Sequence, residues 1–209
     1  MKRIAILSLL AAMLLVPSTN AVARGGQWSK EKAAEWYASQ KWPVGCNYVP
    51  SYAINQYEIW QPETFNPEII DNELSLAESI GFNTLRIDQF LDIADKHGMK
   101  LIITFFTNGG NHDKVFRPGP QPEAIPGTHN SNWIPSPGKA VLDDPAQWPR
   151  LKKYVQDILR TYKNDDRILY WCLCNEPENT KNGCDVSKFM PEVYKWAWEV
   201  RPSQPLSSP

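Results

Sequence analysis

Between Val44 and Val200 the sequence passes four times from a short apolar run to a stretch with helical periodicity. Val44 to Val49 reads as a strand stopped by Pro50, and Asn66-Pro67 opens a helix on which Ile70, Leu74 and Ala77 recur at helical spacing until Gly81. Phe82 to Ile87 is a second strand, and Asp88 to His97, closed by Gly98, a second helix with Phe90, Leu91 and Ala94 on one side. Lys100 to Phe106 follows as a continuous apolar strand. Asp144-Pro145 begins a third helical stretch, with Leu151, Tyr154, Val155, Ile158, Leu159 and Tyr162 on its stripe. Ile168 to Cys174 is the fourth strand, and Phe189, Val193, Trp196, Ala197 and Val200 mark the fourth helix. Ser29 is placed to cap a short helix running to about Lys41, and Gln204-Pro205-Leu206 approaches a fifth strand that does not develop.

Repeated βα units imply an α/β fold with a parallel sheet and right-handed crossovers. A doubly wound sheet usually carries a glycine-rich turn after its first strand, and none occurs here. The expectation is therefore a (β/α)8 TIM barrel, truncated to about its first four βα units. The long segment from Thr107 to Asp143 supports that choice. It has no periodicity, and it leaves the C-terminal end of a strand, which is the catalytic face of such a barrel.

The chain's 22 basic and 23 acidic residues give a formal net charge of -1, which favours neither a nucleic-acid backbone nor an anionic membrane surface. Lys2 and Arg3 precede an apolar run from Ile4 to Val16 and a small-residue site at Ala21-Val22-Ala23, the pattern of a secretory signal peptide at 1–23. The expected location is secreted or periplasmic, with 24–209 as the mature domain and no membrane contact after cleavage. Cys46, Cys172, Cys174 and Cys184 lack metal-ligand spacing and read mainly as packing residues; Cys172 and Cys174 share a strand face and do not easily bridge each other. A bond from either to Cys46 or Cys184 stays open. His97, His112 and His129 form no metal motif, and neither a metal nor a cofactor is expected.

The strongest local signal is Trp171-Cys172-Leu173-Cys174-Asn175-Glu176-Pro177, an apolar strand that brings an amide and a carboxyl to its tip and is then stopped by proline. Partly enclosed by aromatic rings, Glu176 is placed for proton transfer, while Asn175 can both donate to and accept from a sugar hydroxyl. A polar strand end that only caps the next turn would look the same. Flat rings suit sugar faces, which makes Trp60, Trp133 and Trp171 candidates, with Asn47 and Tyr48 adding hydrogen bonds and His129 lining the pocket. Trp171 differs in strand parity from Glu176 and is assigned to the core; Trp148, Trp196 and Trp198 belong to helices.

Asn-Glu-Pro at the end of the fourth strand resembles the acid/base motif of the clan A retaining glycoside hydrolases, in particular the cellulase and mannanase type of glycoside hydrolase family 5. Trp42-Pro43-Val44-Gly45-Cys46-Asn47-Tyr48, Gly81-Phe82-Asn83-Thr84-Leu85-Arg86, and His129-Asn130-Ser131-Asn132-Trp133 followed by Ser136-Pro137-Gly138 are similar to segments of its secreted bacterial members. The likeness runs over roughly 30–209. It implies that Glu176 is the general acid/base, that Asn175 bonds the sugar beside the scissile bond, and that Arg86 orients the nucleophile. Retaining hydrolysis uses two carboxyl groups about 5–5.5 Å apart. In the family the second is a glutamate ending the seventh strand, and Glu178 and Asp185 lie too close to Glu176 on the same loop to take its place.

The likeness breaks once. Arg86 abuts Ile87-Asp88-Gln89-Phe90-Leu91 directly, with almost no βα connection left, so strand or helix must fray to make the turn. Two functions are thus expected. The first is a secreted hydrolase lineage acting on β-linked polysaccharides or oligosaccharides, inactive in this chain for want of the nucleophile. The second is a noncatalytic half-barrel that binds carbohydrate or self-associates through its open sheet edge, or else an inactive fragment.

Overall fold

The computed structural model describes residues 27–87, 90–110, 114, 117–129, 131–179 and 184–209; the proposed leader, His112, Asn130, the junction residues 88 and 89 and the Trp60 side chain lie outside the description. The molecule is α/β. Five strands, β1 (Gly45–Asn47), β2 (Thr84–Ile87), β3 (Lys100–Thr104), β4 (Ile168–Cys172) and β5 (Leu206–Ser207), pair in chain order and all in parallel. The helices are α1 (Lys30–Ser39), α2 (Gln56–Trp60), α3 (Pro67–Ser79), α4 (Leu91–Lys96), α5 (Lys139–Leu142), α6 (Trp148–Tyr162) and α7 (Phe189–Val200). No helix among the described residues is long and apolar enough to cross a membrane.

The starts of α1 and α3 follow from their caps. Ser29 Oγ accepts from the Lys32 amide, and Asn66 Oδ1 accepts from the Ile69 amide with Pro67 at the first helical position, where its missing N–H costs nothing. Leu85, Leu101, Ile103 and Trp171 turn one sheet face towards Ile70 and Leu74 of α3, Leu151, Val155 and Leu159 of α6, and Phe189 and Val193 of α7, and this is the core. Trp171 stacks on Phe105 with centroids 5.4 Å apart and donates from Nε1 to Gln204 Oε1 at 3.0 Å, so its strand parity correctly assigns it to the core. Tyr154 and Tyr162, at the edges of the α6 stripe, remain exposed.

Three expectations change. The fifth strand does form, because Gln204, buried and bonded to the Tyr162 and Asp165 carbonyls, aligns Pro205 to accept from the Trp171 amide at 2.9 Å. The second helix begins at Leu91 rather than Asp88 and spans only six residues; its N-cap, Phe90, takes a left-handed φ of 76° and makes no side-chain cap. The strand keeps its length at this junction, with β2 paired to β3 through Ile87, and it is the helix that is shorter than expected. Lastly, Cys46 is exposed while the other three cysteines are buried, and none of the four forms a disulfide.

Two residues make the fold testable. A Cβ on Gly45 would lie 1.7 Å from the Thr84 carbonyl oxygen, a backbone atom that cannot move aside. Gly45→Ala is therefore expected to break the β1–β2 pairing and lower stability by at least about 1–3 kcal/mol, read as a lower thermal midpoint and lost amide protection at Tyr48. The second residue is His97, whose Nδ1 lies 2.8 Å from Glu78 Oε2 and whose Nε2 lies 2.9 Å from Asp71 Oδ1, with Lys96 on the same Asp71 carboxylate. Burial alone would push its pKa down, but the hydrogen bonds it donates to the Glu78 and Asp71 carboxylates outweigh this and raise it above the ordinary histidine value. The staple between α3 and α4 is thus fully present below the unfolded-state pKa and fades as pH rises through the folded one. Thermal midpoints of wild type and His97→Gln should differ most at mildly acidic pH and converge at alkaline pH.

Candidate active site

The C-terminal ends of β1 to β4 and the segment after β3 enclose one cleft of about 700 Å³. Each of Asn47, Tyr48, Arg86, His129, Trp133, Asn175 and Glu176 lines it. Strand parity accounts for the floor. Arg86, Thr104 and Cys172 share the sheet face opposite the core, and Arg86 donates from Nε to Thr104 Oγ1 at 3.2 Å and from Nη2 to Cys172 Sγ at 3.2 Å and Asn175 Oδ1 at 2.7 Å. Asn175 donates from Nδ2 to Thr107 Oγ1 at 3.2 Å, and its backbone bonds Phe106 and Asn108 on the extension of β3. Its amide is thus used on both sides, as acceptor to Arg86 and donor to Thr107.

Glu176 follows at the rim with a left-handed φ of 51°, its amide donating to the Pro209 carbonyl at 2.9 Å. Contrary to the expected aromatic enclosure, the side chain is exposed. Two contacts place its carboxylate. Asn179 donates from Nδ2 to Oε2 at 2.9 Å, and the bare Gly109 backbone lies so close that a Cβ there would sit 2.4 Å from Oε2. The loop behind is clamped by buried Asn108, whose Nδ2 donates to the Pro177 and Asn179 carbonyls, each at 3.2 Å. Glu178 is exposed, and Asp185 accepts from the Ser187 amide at 2.8 Å as a turn cap.

The opposite wall is the Trp133 loop. Thr107 and Ser136 exchange two backbone hydrogen bonds, of 2.9 and 3.0 Å, which tie this loop to the end of β3. Helix α2 holds it from behind: Asn55 Nδ2 donates to the Asn132 carbonyl at 3.0 Å, Gln56 Nε2 to the Ile134 carbonyl at 2.7 Å, and Tyr57 Oη to the Pro135 carbonyl at 3.1 Å. Trp133 is half-buried in the cleft wall and His129 is exposed at its edge. Tyr48 presents its ring, but its hydroxyl donates to Glu73 Oε2 at 2.6 Å and is committed there. Desolvation would raise the Glu73 pKa, yet the bonds from Ser51 and Tyr48 more than offset it and hold this carboxyl below its usual value.

Sequence reading missed α2, although Asn55 followed by helix-compatible residues is an N-cap signal; it also missed Thr107 and Gly109, whose partners are distant in sequence, and Asn179, which bonds Glu176 three residues before it. Among the described residues no three His, Cys, Asp or Glu side chains converge as a metal site. Compared with models of known protein families and with curated proteins, the chain matches none.

The seat of the carboxylate yields a direct test. Gly109→Ala should leave the thermal midpoint nearly unchanged, because the colliding atom ends a flexible side chain, while a crystal structure shows Glu176 swung away and its bond to Asn179 broken.

Proposed function

We propose that the cleft is the acid/base half of a retaining glycoside hydrolase site of the family 5 cellulase and mannanase type, built on the first strands of a (β/α)8 barrel. The observation that carries this reading is the convergence of Glu176, Asn175 and Arg86 with the Trp133 wall at the carboxyl ends of a parallel sheet, where a barrel holds its chemistry. Strand order 1-2-3-4-5, with the helices that form the core packed on one face, supports the barrel over a doubly wound sheet, whose order reverses at its switch point. The ordered motifs shared with that family support the chemistry. A leader at 1–23 would export the chain to where β-linked polysaccharides or oligosaccharides are met.

In this mechanism a β-linked sugar stacks on Trp133, and Asn175 is positioned beside the scissile bond. Given a second carboxylate to attack the anomeric carbon, Glu176 Oε1 would pass its proton to the leaving glycosidic oxygen as the C–O bond breaks, while Oε2 stays bonded to Asn179. Covalent glycosylation needs a second carboxylate across the cleft, and among the described residues lining it Glu176 is the one acid. The 209-residue chain is therefore expected to bind but not hydrolyse. That single carboxylate also favours the second reading, noncatalytic carbohydrate binding, and the exposed β1 edge favours self-association of the same chain.

Gel migration in β-glucan or mannan and assays with aryl β-glycosides test these statements together. Retardation without product release, weakened about tenfold by Trp133→Ala, is the expected result, in line with the worth of a stacked ring. Absence of glycan affinity would contradict the glycan reading, and turnover abolished by Glu176→Gln would contradict the single-carboxylate account.

A further inference from the structure

Helix α4 has six residues where α3 has thirteen and α6 fifteen, so the helix side of β3 is only partly roofed between α4 and α6. A second cavity, of about 610 Å³, opens there. Ile103 and Trp171 of the sheet line it, with Ile93 of α4, Ile158 of α6 and the rings of Phe65 and Phe90. The charged groups in its described lining, Asp92 and Arg167, pair with each other, so neither is left uncompensated. This cavity adjoins the cleft already described. The two meet at Tyr154, an exposed ring on α6 that lines both. On either side of that meeting point the walls touch: Phe105 of the cleft stacks on Trp171 of the cavity at 5.4 Å, and Tyr48 of the cleft meets the Phe90 ring edge-on at 6.1 Å.

We infer that this cavity receives an uncharged aromatic group joined to the sugar in the cleft, so that a β-linked oligosaccharide bearing an aryl group is preferred to its plain counterpart. This rests on the glycan reading above and adds the substrate class to it. A concave space of a few hundred Å³ lined by aliphatic and aromatic side chains is the form of a small-molecule site. Its occupant is uncharged, because an ion would shed its hydration against these side chains and find Asp92 and Arg167 already paired. It is aromatic, because rings on several sides offer edge-on and offset contacts to another ring. It belongs to the glycoside, because the shared Tyr154 leads from the cleft into the cavity.

Titration calorimetry and amide-shift mapping on the full chain test the inference with two probes, the naphthyl and methyl β-glycosides of one β-linked oligosaccharide, in the gluco and manno series. The naphthyl glycoside is expected to bind about tenfold tighter or more, from the apolar area its ring buries, and to shift amides at Ile93 and Ile158 that the methyl glycoside leaves unmoved. Ile158→Trp fills the cavity from a half-buried position on α6 and should remove the preference while binding of the methyl glycoside persists. Ile93→Trp does the same from α4 and guards against a local fault in either helix. Equal affinity of the two probes overturns the inference and leaves the glycan reading standing. So does a preference that survives both variants with α4 and α6 silent, since the ring then rests on the cleft wall. Binding of the naphthyl glycoside alone, with shifts confined to α4 and α6, overturns the glycan reading and the joined ligand with it, as does binding of neither probe.

Discussion

Arg86, Asn175, Thr107 and Ser136 form one continuous hydrogen-bonded path across the carboxyl ends of the strands, and the cleft exists because that path is intact. Its first link joins β2 to the tip of β4 at 2.7 Å; its last ties the long excursion after β3 back onto the sheet. Remove Asn175 and Arg86 loses its shortest bond, Thr107 loses a donor, and the rim residue next in sequence loses its fixed neighbour. Each link is part-buried, where an unmade polar bond costs about 1–3 kcal/mol, so the network holds its shape as a unit.

The path also explains how an exposed acid can have a defined position. Glu176 is held by backbone, not by packing: a left-handed φ, an amide bonded to Pro209, a glycine against one carboxylate oxygen and the Asn179 amide on the same atom. A left-handed φ on a residue with a Cβ costs on the order of 1–3 kcal/mol and persists where its surroundings over-determine it. Asn108, clamping the following loop through its side-chain amide, supplies that constraint.

Much of the scaffold was legible in the sequence because it is set by local rules. Caps at Ser29 and Asn66, helical spacing on α3, α6 and α7, and strand parity at Trp171 each act within a few residues and need no tertiary knowledge. Long-range compensation lay beyond reach. Gln204 creates β5 by bonding carbonyls near the end of α6, and the late start of α4 at Leu91 accompanies the pairing of β2 with β3 through Ile87. In the cleft, residue types with intrinsic hydrogen-bonding or stacking capacity, such as Asn175, Arg86 and Trp133, could be singled out by chemistry alone. Gly109 and Asn179 could not, since one acts by lacking a side chain and the other by facing a partner on the same turn. Tyr48 lines the cleft as its position suggested, but a partner the sequence did not reveal, Glu73, 25 residues away, takes its hydroxyl proton.

The most direct test of the central claim is a map of backbone amide shifts during titration of the full chain with a β-linked oligosaccharide. The account predicts that the largest changes cluster at Gly109, Trp133, Ser136, Asn175 and Glu176 and leave the helix-covered sheet face silent. Changes confined to α4 and α6, or none anywhere, would contradict it.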